Sequence, residues 1–407
     1  MRVAVVGAGA VGLCTAWYLR DHGIDVTVFE TANAGNGASW GNAGQVLPSK
    51  AVPLPEPGNL QFALKSFFKK NSPVTAPRQF DLNLLKFLSR FLANSTEIKF
   101  RSGRQSMWDI SRVAFSEFTY MESSGLNTTR FQGPFTSAFK SKDSSKEMII
   151  ELREAREFFT NLQFDFLEQD SLLESEALLD ERFTFGIQLQ NQSYINPPQF
   201  LENLLSNLQS SKVEIFLNTK VTEVIKRGNS IVLKTHGGDS HIFDAVVIAT
   251  GAWLNRLTQE HGVKLPVIAG IGYSLSVEVP AQTQGMLYLP ESKLATTNYG
   301  AKLRISTFMQ MANVEKPRDA KRTARLINLA SLELPKANWE TAGEFWSGGR
   351  PLSGDGKPLI GATSTSGVYV NSGHGMWGIT LAPVSGRLIA EAIIGKNSIP
   401  KAFDPTR

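Results

Sequence analysis

The sequence predicts an α/β protein that contains a Rossmann-type domain, a parallel sheet covered by helices on both faces. Three observations lead to this prediction. An apolar strand at Val3–Val6 enters a glycine-rich turn and a helix, a second strand ends in Glu30, and two later strands, at 244–253 and 368–371, also run into glycine-rich turns. Strands buried on both faces of a parallel sheet are short continuous apolar runs of this kind.

Length and composition limit the class of protein. The 407 residues are enough for two domains, and 42% hydrophobic with 19% charged residues is typical of a soluble globular protein. The formal net charge is +5, but the basic residues are scattered apart from Lys65, Lys69 and Lys70. Because nucleic-acid binding needs a basic stripe or a reading motif, we expect no nucleic-acid partner.

The single cysteine, Cys14, excludes an intramolecular disulfide. It lies among apolar residues of a predicted helix, so we expect it to pack in the core, and we predict no metal site. The chain passes from Met1 and Arg2 directly into a strand, and no apolar run approaches the roughly 20 residues of a spanning helix. The expected location is cytoplasmic.

The first turn has the spacing of a dinucleotide-binding motif, with glycines at 7, 9 and 12. Gly7 makes the turn, Gly9 lets the backbone approach a pyrophosphate, and Gly12 allows close helix–strand packing. Ala10 and Val11 lie at the start of the helix, whose free amides and dipole favour phosphate. We therefore predict that these five residues bind the cofactor.

The second strand, Asp25–Glu30, begins after the helix ends at Gly23. Glu30 is placed to accept ribose hydroxyls, and its charge would repel a 2′-phosphate, which favours FAD or NAD over NADP. Thr31 follows it and is also a predicted cofactor contact. An ordinary glycine turn would lack this carboxylate.

Residues 35–45 are rich in small and amide side chains, so their backbone can lie flat against a ligand. Composition alone also allows a flexible surface loop. The position just after the second strand favours a segment that reaches from a pyrophosphate toward a flavin ring. The predicted cofactor contacts in this segment are Ser39, Asn42, Ala43, Gly44 and Gln45.

Two later regions have the same character. Short strands at 213–217, 221–226 and 231–235 precede the buried strand 244–253, and a strand at 368–371 precedes a helix at 380–394. Ligands bind at the carboxyl edge of such sheets, and a helix N-terminus there would stabilise negative charge on a reduced flavin. Simple glycine turns are the alternative. The predicted cofactor contacts here are Val221, Thr250, Gly251, Gly373, Gly375, Met376, Trp377, Gly378 and Thr380.

Taken together, the motifs resemble the bacterial D-amino acid dehydrogenases, which belong to the D-amino acid oxidase-like group of FAD enzymes. The resemblance extends over essentially the whole chain. The residues that show the resemblance are 7–12 with Glu30, 40–45, 272–274, 349–361 and 373–375.

The resemblance implies a discontinuous FAD-binding domain interleaved with a substrate-binding domain. The first comprises 1–80, 193–262 and 340–407. The second comprises 81–192 and 263–339, and is expected to be an α+β domain on a mixed or antiparallel sheet.

The implied activity is oxidative deamination of a D-amino acid with non-covalent FAD. Arginine holds a carboxylate at two points better than lysine, and the resemblance places Arg350 at the substrate carboxylate. Tyr273, His374 and Arg304 are further candidates for the catalytic site, with packing or turn capping as alternatives. A cyclic or N-alkyl imino acid substrate, such as proline, hydroxyproline or sarcosine, and a non-catalytic flavoprotein subunit are the competing hypotheses.

The sequence departs from the family pattern at two positions. Ile271 stands where lysine is common, and Gln310 stands where glutamate is common. The loss of both charges is what replacement of an ion pair would produce. Arg304 and Gln310 are predicted to lie on one face of a strand at 303–310, which would form a wall of the pocket.

Two amphipathic stretches, 61–70 and 81–94, combine leucine and phenylalanine with basic residues. We expect these helices to pack on the substrate domain. The alternative is peripheral contact with the inner face of a membrane, with electrons passing to a quinone. The sequence does not choose between quinone and oxygen as the electron acceptor.

Overall fold

The structure is a computed structural model that describes residues 1–35, 37–58, 74–75, 82–279, 285–312 and 320–407. None of the helices formed by these residues is long and apolar enough to cross a membrane. The β-strands are β1 (Arg2–Val6), β2 (Asp25–Phe29), β3 (Gln45–Val46), β4 (Val74–Thr75), β5 (Arg130–Phe139), β6 (Phe164–Glu168), β7 (Phe185–Ile195), β8 (Glu214–Phe216), β9 (Val221–Arg227), β10 (Ser230–Thr235), β11 (Ser240–Phe243), β12 (Ala245–Ile248), β13 (Val267–Glu278), β14 (Met286–Leu289), β15 (Leu294–Asn298), β16 (Lys302–Ala312), β17 (Asn338–Ser353), β18 (Leu359–Ala362) and β19 (Val368–Ser372).

Helices connect and cover these strands. Short 3₁₀ turns occur between them, one of them at Gly251–Trp253 directly after β12. The α-helices are α1 (Ala10–Asp21), α2 (Leu82–Asn94), α3 (Glu97–Ser111), α4 (Ala114–Ser123), α5 (Lys146–Phe158), α6 (Gln169–Ser175), α7 (Pro197–Ser210), α8 (Asn255–Thr258), α9 (Ala320–Glu333) and α10 (Gly378–Ile393).

The first sheet has the strand order β18-β19-β12-β1-β2-β8. Its neighbouring strands are parallel except for the antiparallel pair β18 and β19. Its strands come from three separated parts of the chain, near the start, the middle and the end. This arrangement confirms the predicted Rossmann-type sheet, and the observed ends of β1, β2 and β19 lie within one residue of the predicted ones.

Both faces of this sheet are buried, as the apolar pattern of β1 predicts. Val3 and Val5 pack with α1, α4, α7 and α10 in one core cluster. Ala4 and Val6 point to the other face, where they pack with the antiparallel sheet β11-β10-β9. Since neither face of β1 meets solvent, its residues Val3–Val6 are all apolar.

Helices α1 and α10 cross at close range. A Cβ on Gly386 of α10 would lie 2.8 Å from the backbone carbon of Cys14 in α1, so glycine is required for this approach. Cys14 is fully buried at the crossing, which confirms its predicted place in the core. The crossing brings the N-termini of both helices to the carboxyl edge of the same sheet.

The second sheet has the strand order β17-β13-β16-β15-β14-β5-β7-β3, with β4 beside β16 and β6 beside β7. Most neighbours are antiparallel, while β14 with β5 and β16 with β4 are parallel. Helix α9 packs on its first strands through Leu326 and Ala330. Helices α3 and α5 pack on β5 and β7 through Trp108 and Leu152. The sheet is therefore mixed, as predicted.

Two of the predicted domain boundaries fall inside strands. Residue 193 lies in β7 and residue 340 lies in β17, and both strands are paired along their length within the second sheet. Residue 80 lies outside the described residues, and 262 falls in the connection before β13. The division into two interleaved domains stays a prediction, and its boundaries belong at strand ends.

The register of β16 corrects the prediction that Arg304 and Gln310 lie on one face of the strand. Ile271 lies opposite Gln310, but Tyr273 lies opposite Thr307, so β16 carries one extra residue at a β-bulge. Because the bulge reverses the alternation, Gln310 lies on the Tyr273 side of the sheet and Arg304 on the other. Ile271 and Gln310 are direct cross-strand neighbours, the placement expected of a replaced ion pair.

Helix α2 forms most of the second predicted amphipathic stretch. Leu84, Phe87 and Phe91 are buried, and the two phenylalanines pack with Met311 and Leu352 in a core cluster. The helix therefore packs against β16 and β17 of the second sheet. The stretch 61–70 lies outside the described residues. On its other face, α2 exposes the leucines Leu82, Leu85 and Leu92.

Candidate FAD-binding and active site

A cavity of about 610 Å³ lies at the carboxyl edge of the first sheet, between it and β17 of the second. Pockets that bury a small molecule or cofactor have volumes of this order. The lining residues that had been predicted as site residues are Gly7, Gly9, Ala10, Val11, Glu30, Thr31, Ser39, Asn42, Val221, Thr250, Gly251, Arg350, His374, Gly375 and Gly378.

The turn between β1 and α1 leaves no room for side chains. Gly7 has φ +113°, and a Cβ there would lie 2.5 Å from the Ala249 carbonyl oxygen. A Cβ on Gly12 would lie 1.9 Å from the Gly7 carbonyl oxygen. The Ala10 amide at the helix start donates to Ser39 Oγ at 3.1 Å. The bare backbone and the helix N-terminus together form a surface suited to a pyrophosphate.

Glu30 is held in place by the backbone. Its Oε2 accepts from the Ala8 amide at 2.7 Å and its Oε1 accepts from the Ala32 amide at 3.1 Å. These bonds fix the carboxylate beside the glycine turn, where the side chain lines the cavity. A carboxylate in this position is expected to accept the hydroxyls of a nucleotide ribose.

The segment after β2 divides into two parts. Gly37, Ala38, Ser39 and Asn42 line the cavity. Residues 43–45 instead join the second sheet and lie outside the lining. There the Ala43 carbonyl accepts from Tyr299 Oη at 2.7 Å, and the Gln45 side-chain amide donates to the Thr296 carbonyl at 3.0 Å. Pairing of β3 with β7 accounts for this turn away from the cavity.

The edge of β12 contributes a polar atom that lacks a protein partner. Thr250 Oγ1 is buried and has no hydrogen bond to any described residue. Gly251 follows with φ +55°, and its carbonyl accepts from Ser372 Oγ at 3.1 Å. An unsatisfied buried hydroxyl at a cavity wall is the feature expected where a ligand completes the hydrogen bond.

The turn between β19 and α10 forms the third wall. His374 is 3% exposed, and neither ring nitrogen is hydrogen-bonded within the described part of the chain. Burial lowers the pKa of His374 to about 3, so the ring is neutral at physiological pH. Asn371 donates to Thr15 Oγ1 at 2.9 Å, whereas its Oδ1 has no partner among the described residues.

Other residues of that turn contact protein instead of the cavity. Trp377 Nε1 donates to the Val52 carbonyl at 2.8 Å, and Thr380 Oγ1 donates to the Gln45 carbonyl at 3.2 Å. Met376 is 40% exposed. Gly373 adopts φ +77° to make the turn. None of these four residues lines the cavity, so its geometry does not support their predicted cofactor contacts.

Arg350 approaches the cavity from β17, between Gly349 and Pro351. Its guanidinium lies over the backbone of β13, where a Cβ on Gly272 would be 2.1 Å from Nη1. Burial lowers the pKa of Arg350 to about 10, so the side chain still carries its charge at neutral pH. A half-buried cation on a cavity wall favours an anionic ligand group.

These features fit an extended dinucleotide. The cavity receives the N-termini of α1 and α10 and exposes bare glycine backbone at three edges. It also presents polar atoms of Thr250, Asn371 and His374 that have no hydrogen-bond partner among the described residues. A model of the family of FAD dependent oxidoreductases named DAO matches residues 2–392. The chain belongs to this family. The predicted cofactor, FAD, and the predicted class, an oxidoreductase, are thereby confirmed.

Curated relatives span nearly the whole chain. A D-amino acid dehydrogenase of Vibrio vulnificus is 28% identical, covering 98% of this chain and 97% of the relative. A D-amino acid dehydrogenase of Rhizorhabdus wittichii is also 28% identical, with 97% of each chain covered. The resemblance to this group that the motifs indicated is confirmed.

Solved structures share the fold. Glycine oxidase from Geobacillus kaustophilus superposes with a TM-score of 0.78 at 21% identity, covering 100% of this chain and 99% of the other. Iminodiacetate oxidase from Chelativorans sp. BNC1 gives 0.77 at 14% identity, with 99% of each chain covered.

Two predicted catalytic residues of this oxidoreductase lie away from the cavity. Tyr273 is 2% exposed and packs in the core cluster of the second sheet, with its hydroxyl 3.5 Å from Gln310 Oε1. Arg304 Nη2 pairs with Glu344 Oε2 at 3.2 Å. The alternation of side chains along β13 places Tyr273 in the core. The ion pair with Glu344 explains why Arg304 is tolerated at its buried position. The cavity is built without either side chain.

The prediction missed several residues that line the cavity. Asn371 and Ser372 end strand β19, so the rule that ligands bind at the carboxyl edge would have indicated them. Lys220 precedes β9, next to the predicted Val221. Arg256 gave no signal in the sequence, because only folding brings α8 to the cavity. The missed lining residues include Thr219, Lys220, Thr222, Trp253, Arg256, Leu257, Gly349, Asn371 and Ser372.

Proposed function

We propose that the protein oxidises the Cα–N bond of a D-amino acid and thereby produces a 2-oxo acid and ammonia. The observation that carries the proposal is Arg350, a half-buried cation on the wall of the cavity. A guanidinium binds a carboxylate through two parallel hydrogen bonds, and the pairing is strong where water is excluded. Arg350 is therefore the proposed carboxylate-binding residue.

The reaction needs positioning more than acid–base catalysis. FAD, when bound, accepts the hydride that leaves the substrate Cα. The amine loses a proton and its nitrogen lone pair forms the C=N bond, and water then hydrolyses the imine. Arg350 orients the substrate through its carboxylate, so that the Cα–H bond is held in one direction.

His374 contributes a neutral polar group. Because burial keeps its pKa near 3, the ring is a hydrogen-bond donor at one nitrogen and an acceptor at the other, without a positive charge. We assign it to hydrogen bonding with the cofactor or the substrate. No general base is assigned.

The choice of a D-amino acid is supported by the two D-amino acid dehydrogenases that align along nearly the whole chain. Structures with the same fold are named for other substrates, including glycine, iminodiacetate and L-proline. A cyclic or N-alkyl imino acid is therefore the second candidate, and stereochemistry must be measured.

The test is anaerobic bleaching of the flavin absorbance by a panel of D-amino acids, L-amino acids and imino acids. We expect rapid bleaching by D-amino acids with one ammonia released per flavin reduced. Bleaching without ammonia would favour an imino acid, and no bleaching by any compound would refute amine oxidation.

Variants at two arginines of the same sheet, the half-buried Arg350 and the buried Arg304, sharpen the test. Loss of one partner of a buried charge pair costs about 2–5 kcal/mol, so Arg350→Ala is expected to lower kcat/KM by about 30- to 5,000-fold. Arg304→Ala is the matched control, because Arg304 does not line the cavity and pairs with Glu344. Equal losses in both variants would contradict the assigned role of Arg350.

The electron acceptor of the proposed reaction is oxygen or a quinone. Oxygen consumption and reduction of a soluble quinone, measured on one preparation, distinguish the two acceptors.

The proposal also includes peripheral contact with a membrane. This contact is supported by the three exposed leucines of α2, Leu82, Leu85 and Leu92. Co-sedimentation with anionic vesicles, compared with a variant carrying serine at all three positions, tests that contact.

A further inference from the structure

Trp346 of β17 lies between two glycines from distant parts of the chain. A Cβ on Gly41 would be 2.1 Å from ring atom Cδ2, and a Cβ on Gly348 would be 2.2 Å from ring atom Cζ2. Neither glycine has φ in the left-handed region, so backbone conformation does not require glycine there. The indole ring requires glycine at both positions, because it occupies the space that a Cβ atom would take.

The ring joins the two walls of the FAD cavity. Gly41 belongs to the segment that lines one wall through Gly37, Ala38, Ser39 and Asn42. Gly348 directly precedes Gly349 and Arg350, which line the opposite wall. A Cβ on Gly348 would also be 3.1 Å from the Gly37 carbonyl oxygen, which shows that the two segments touch. Trp346 itself lies behind the lining.

We propose that Trp346 is a positioning residue that sets the distance between the FAD-holding segment and Arg350. The part that concerns Arg350 rests on the proposed function, whereas the part that concerns FAD rests only on the family. Oxidation requires the substrate carbon to lie at a fixed place relative to the flavin. A displacement of about 1 Å can lower a rate about 100-fold, so the rigidity of this contact matters.

A smaller side chain would not fill the space that the indole ring occupies between the two glycines. The two neighbouring glycines have no side chains to fill the space, and Trp346 is half-buried in the interface they form. Truncation would leave a gap between the two walls, and the surrounding chain would move to close it. Phenylalanine would retain part of the contact.

The test compares the holoenzyme with Trp346→Phe, Trp346→Ala and Trp339→Ala. Trp339 is the matched control, because it lies on the same strand but packs near α9 and donates from Nε1 to the Leu334 carbonyl at 2.9 Å. The readouts are the FAD dissociation constant, the flavin difference spectrum induced by propionate, and the limiting rate of anaerobic flavin reduction by the best amino acid of the panel.

We expect Trp346→Ala to reduce the flavin about 100-fold more slowly at saturating substrate, with Trp346→Phe intermediate and Trp339→Ala unchanged. We also expect weaker FAD binding and an altered propionate spectrum. A wild-type reduction rate in Trp346→Ala, or the same loss in Trp339→Ala, would overturn the inference. If no amine reduces the wild-type flavin, the proposed function fails, and unchanged FAD affinity in Trp346→Ala would then refute the positioning role separately.

A double variant tests the contact directly. Gly41→Ala alone places a methyl group on the indole ring and is expected to weaken FAD binding. In the Trp346→Ala background the same methyl group has room, so the second substitution is expected to cause no further loss. Additive losses would show that the two residues act independently and would contradict the proposed contact.

Discussion

Glu176 is a buried carboxyl whose ionisation opposes folding. It follows helix α6, is 2% exposed and does not line the cavity. Burial raises the pKa of Glu176 from its usual 4.5 to about 8, although the Thr136 hydroxyl donates a hydrogen bond that acts in the opposite direction. The native protein therefore keeps a proton at pH 7 that the unfolded chain releases.

The sign and size of the effect follow from this difference. Between pH 4.5 and 8 the native state binds more protons than the unfolded state, so the free energy of unfolding falls as the pH rises. The full difference corresponds to about 5 kcal/mol. For 407 residues at about 2.1 cal/mol/K of unfolding entropy per residue, this is about 6 °C in Tm.

Glu176→Gln keeps the shape of the protonated side chain and cannot ionise. We expect its Tm to lie within about 1 °C of that of the wild type at pH 5 and to exceed it by about 6 °C at pH 9. Thermal unfolding is measured with excess FAD at both pH values, so that cofactor loss does not differ between variants.

Glu117→Gln provides a contrasting control. Glu117 pairs with Arg387 at 2.8 Å and accepts from Tyr18 Oη at 2.7 Å, so its replacement is expected to destabilise the protein at both pH values. If Tm depended on pH in the same way in the wild type and in Glu176→Gln, the ionisation of buried Glu176 would not be the cause of the pH-dependent loss of stability.

Three further predictions concern the cavity and the crossing of helices α1 and α10. Gly12→Ala is expected to abolish FAD retention after gel filtration, because the methyl group would meet the Gly7 carbonyl at 1.9 Å, whereas Gly343→Ala, with no neighbour closer than 3.6 Å, should retain FAD. His374→Gln is expected to leave the apparent pKa values of the kcat/KM profile between pH 5 and 9 unchanged, since burial lowers the pKa of His374 to about 3; a lost ionisation would contradict this. Gly386→Ala should destabilise the protein by about 1–3 kcal/mol in urea unfolding, because its methyl group would press on the α1 backbone at Cys14, and an unchanged midpoint would show that the helices can separate freely.

Local signals were strong enough to predict the glycine turn, the carboxylate and the strand edge that the structure places at one cavity. The turn at Gly7–Gly12, the carboxylate at Glu30 and the strand edge at Thr250 are encoded within short stretches, because each depends on backbone space or on a strand end. The structure brings these residues to one cavity. Arg350 also lines it, at the position that the motif at 349–361 indicated.

Other predicted site residues lie outside the cavity lining, because their surroundings depend on neighbours that are distant in sequence. Tyr273 directly follows Gly272, whose backbone lies against the Arg350 guanidinium. Alternation along β13 nevertheless directs the Tyr273 side chain into the core. Arg304 is neutralised by Glu344, which lies 40 residues away on another strand. The bulge in β16 reversed the face assigned to Gln310, and no local signal in that strand indicates an inserted residue.

The sequence by itself determined the Rossmann-type sheet, the glycine turns and the class of cofactor, since these follow from local patterns of apolar residues, glycines and one carboxylate. Only the tertiary structure decided which polar residues share the cavity. It placed Arg256 and Lys220 on the wall, moved residues 43–45 into the second sheet, and set Trp346 between Gly41 and Gly348. The physical reason is that a side chain's surroundings depend on strand register and helix packing between segments hundreds of residues apart.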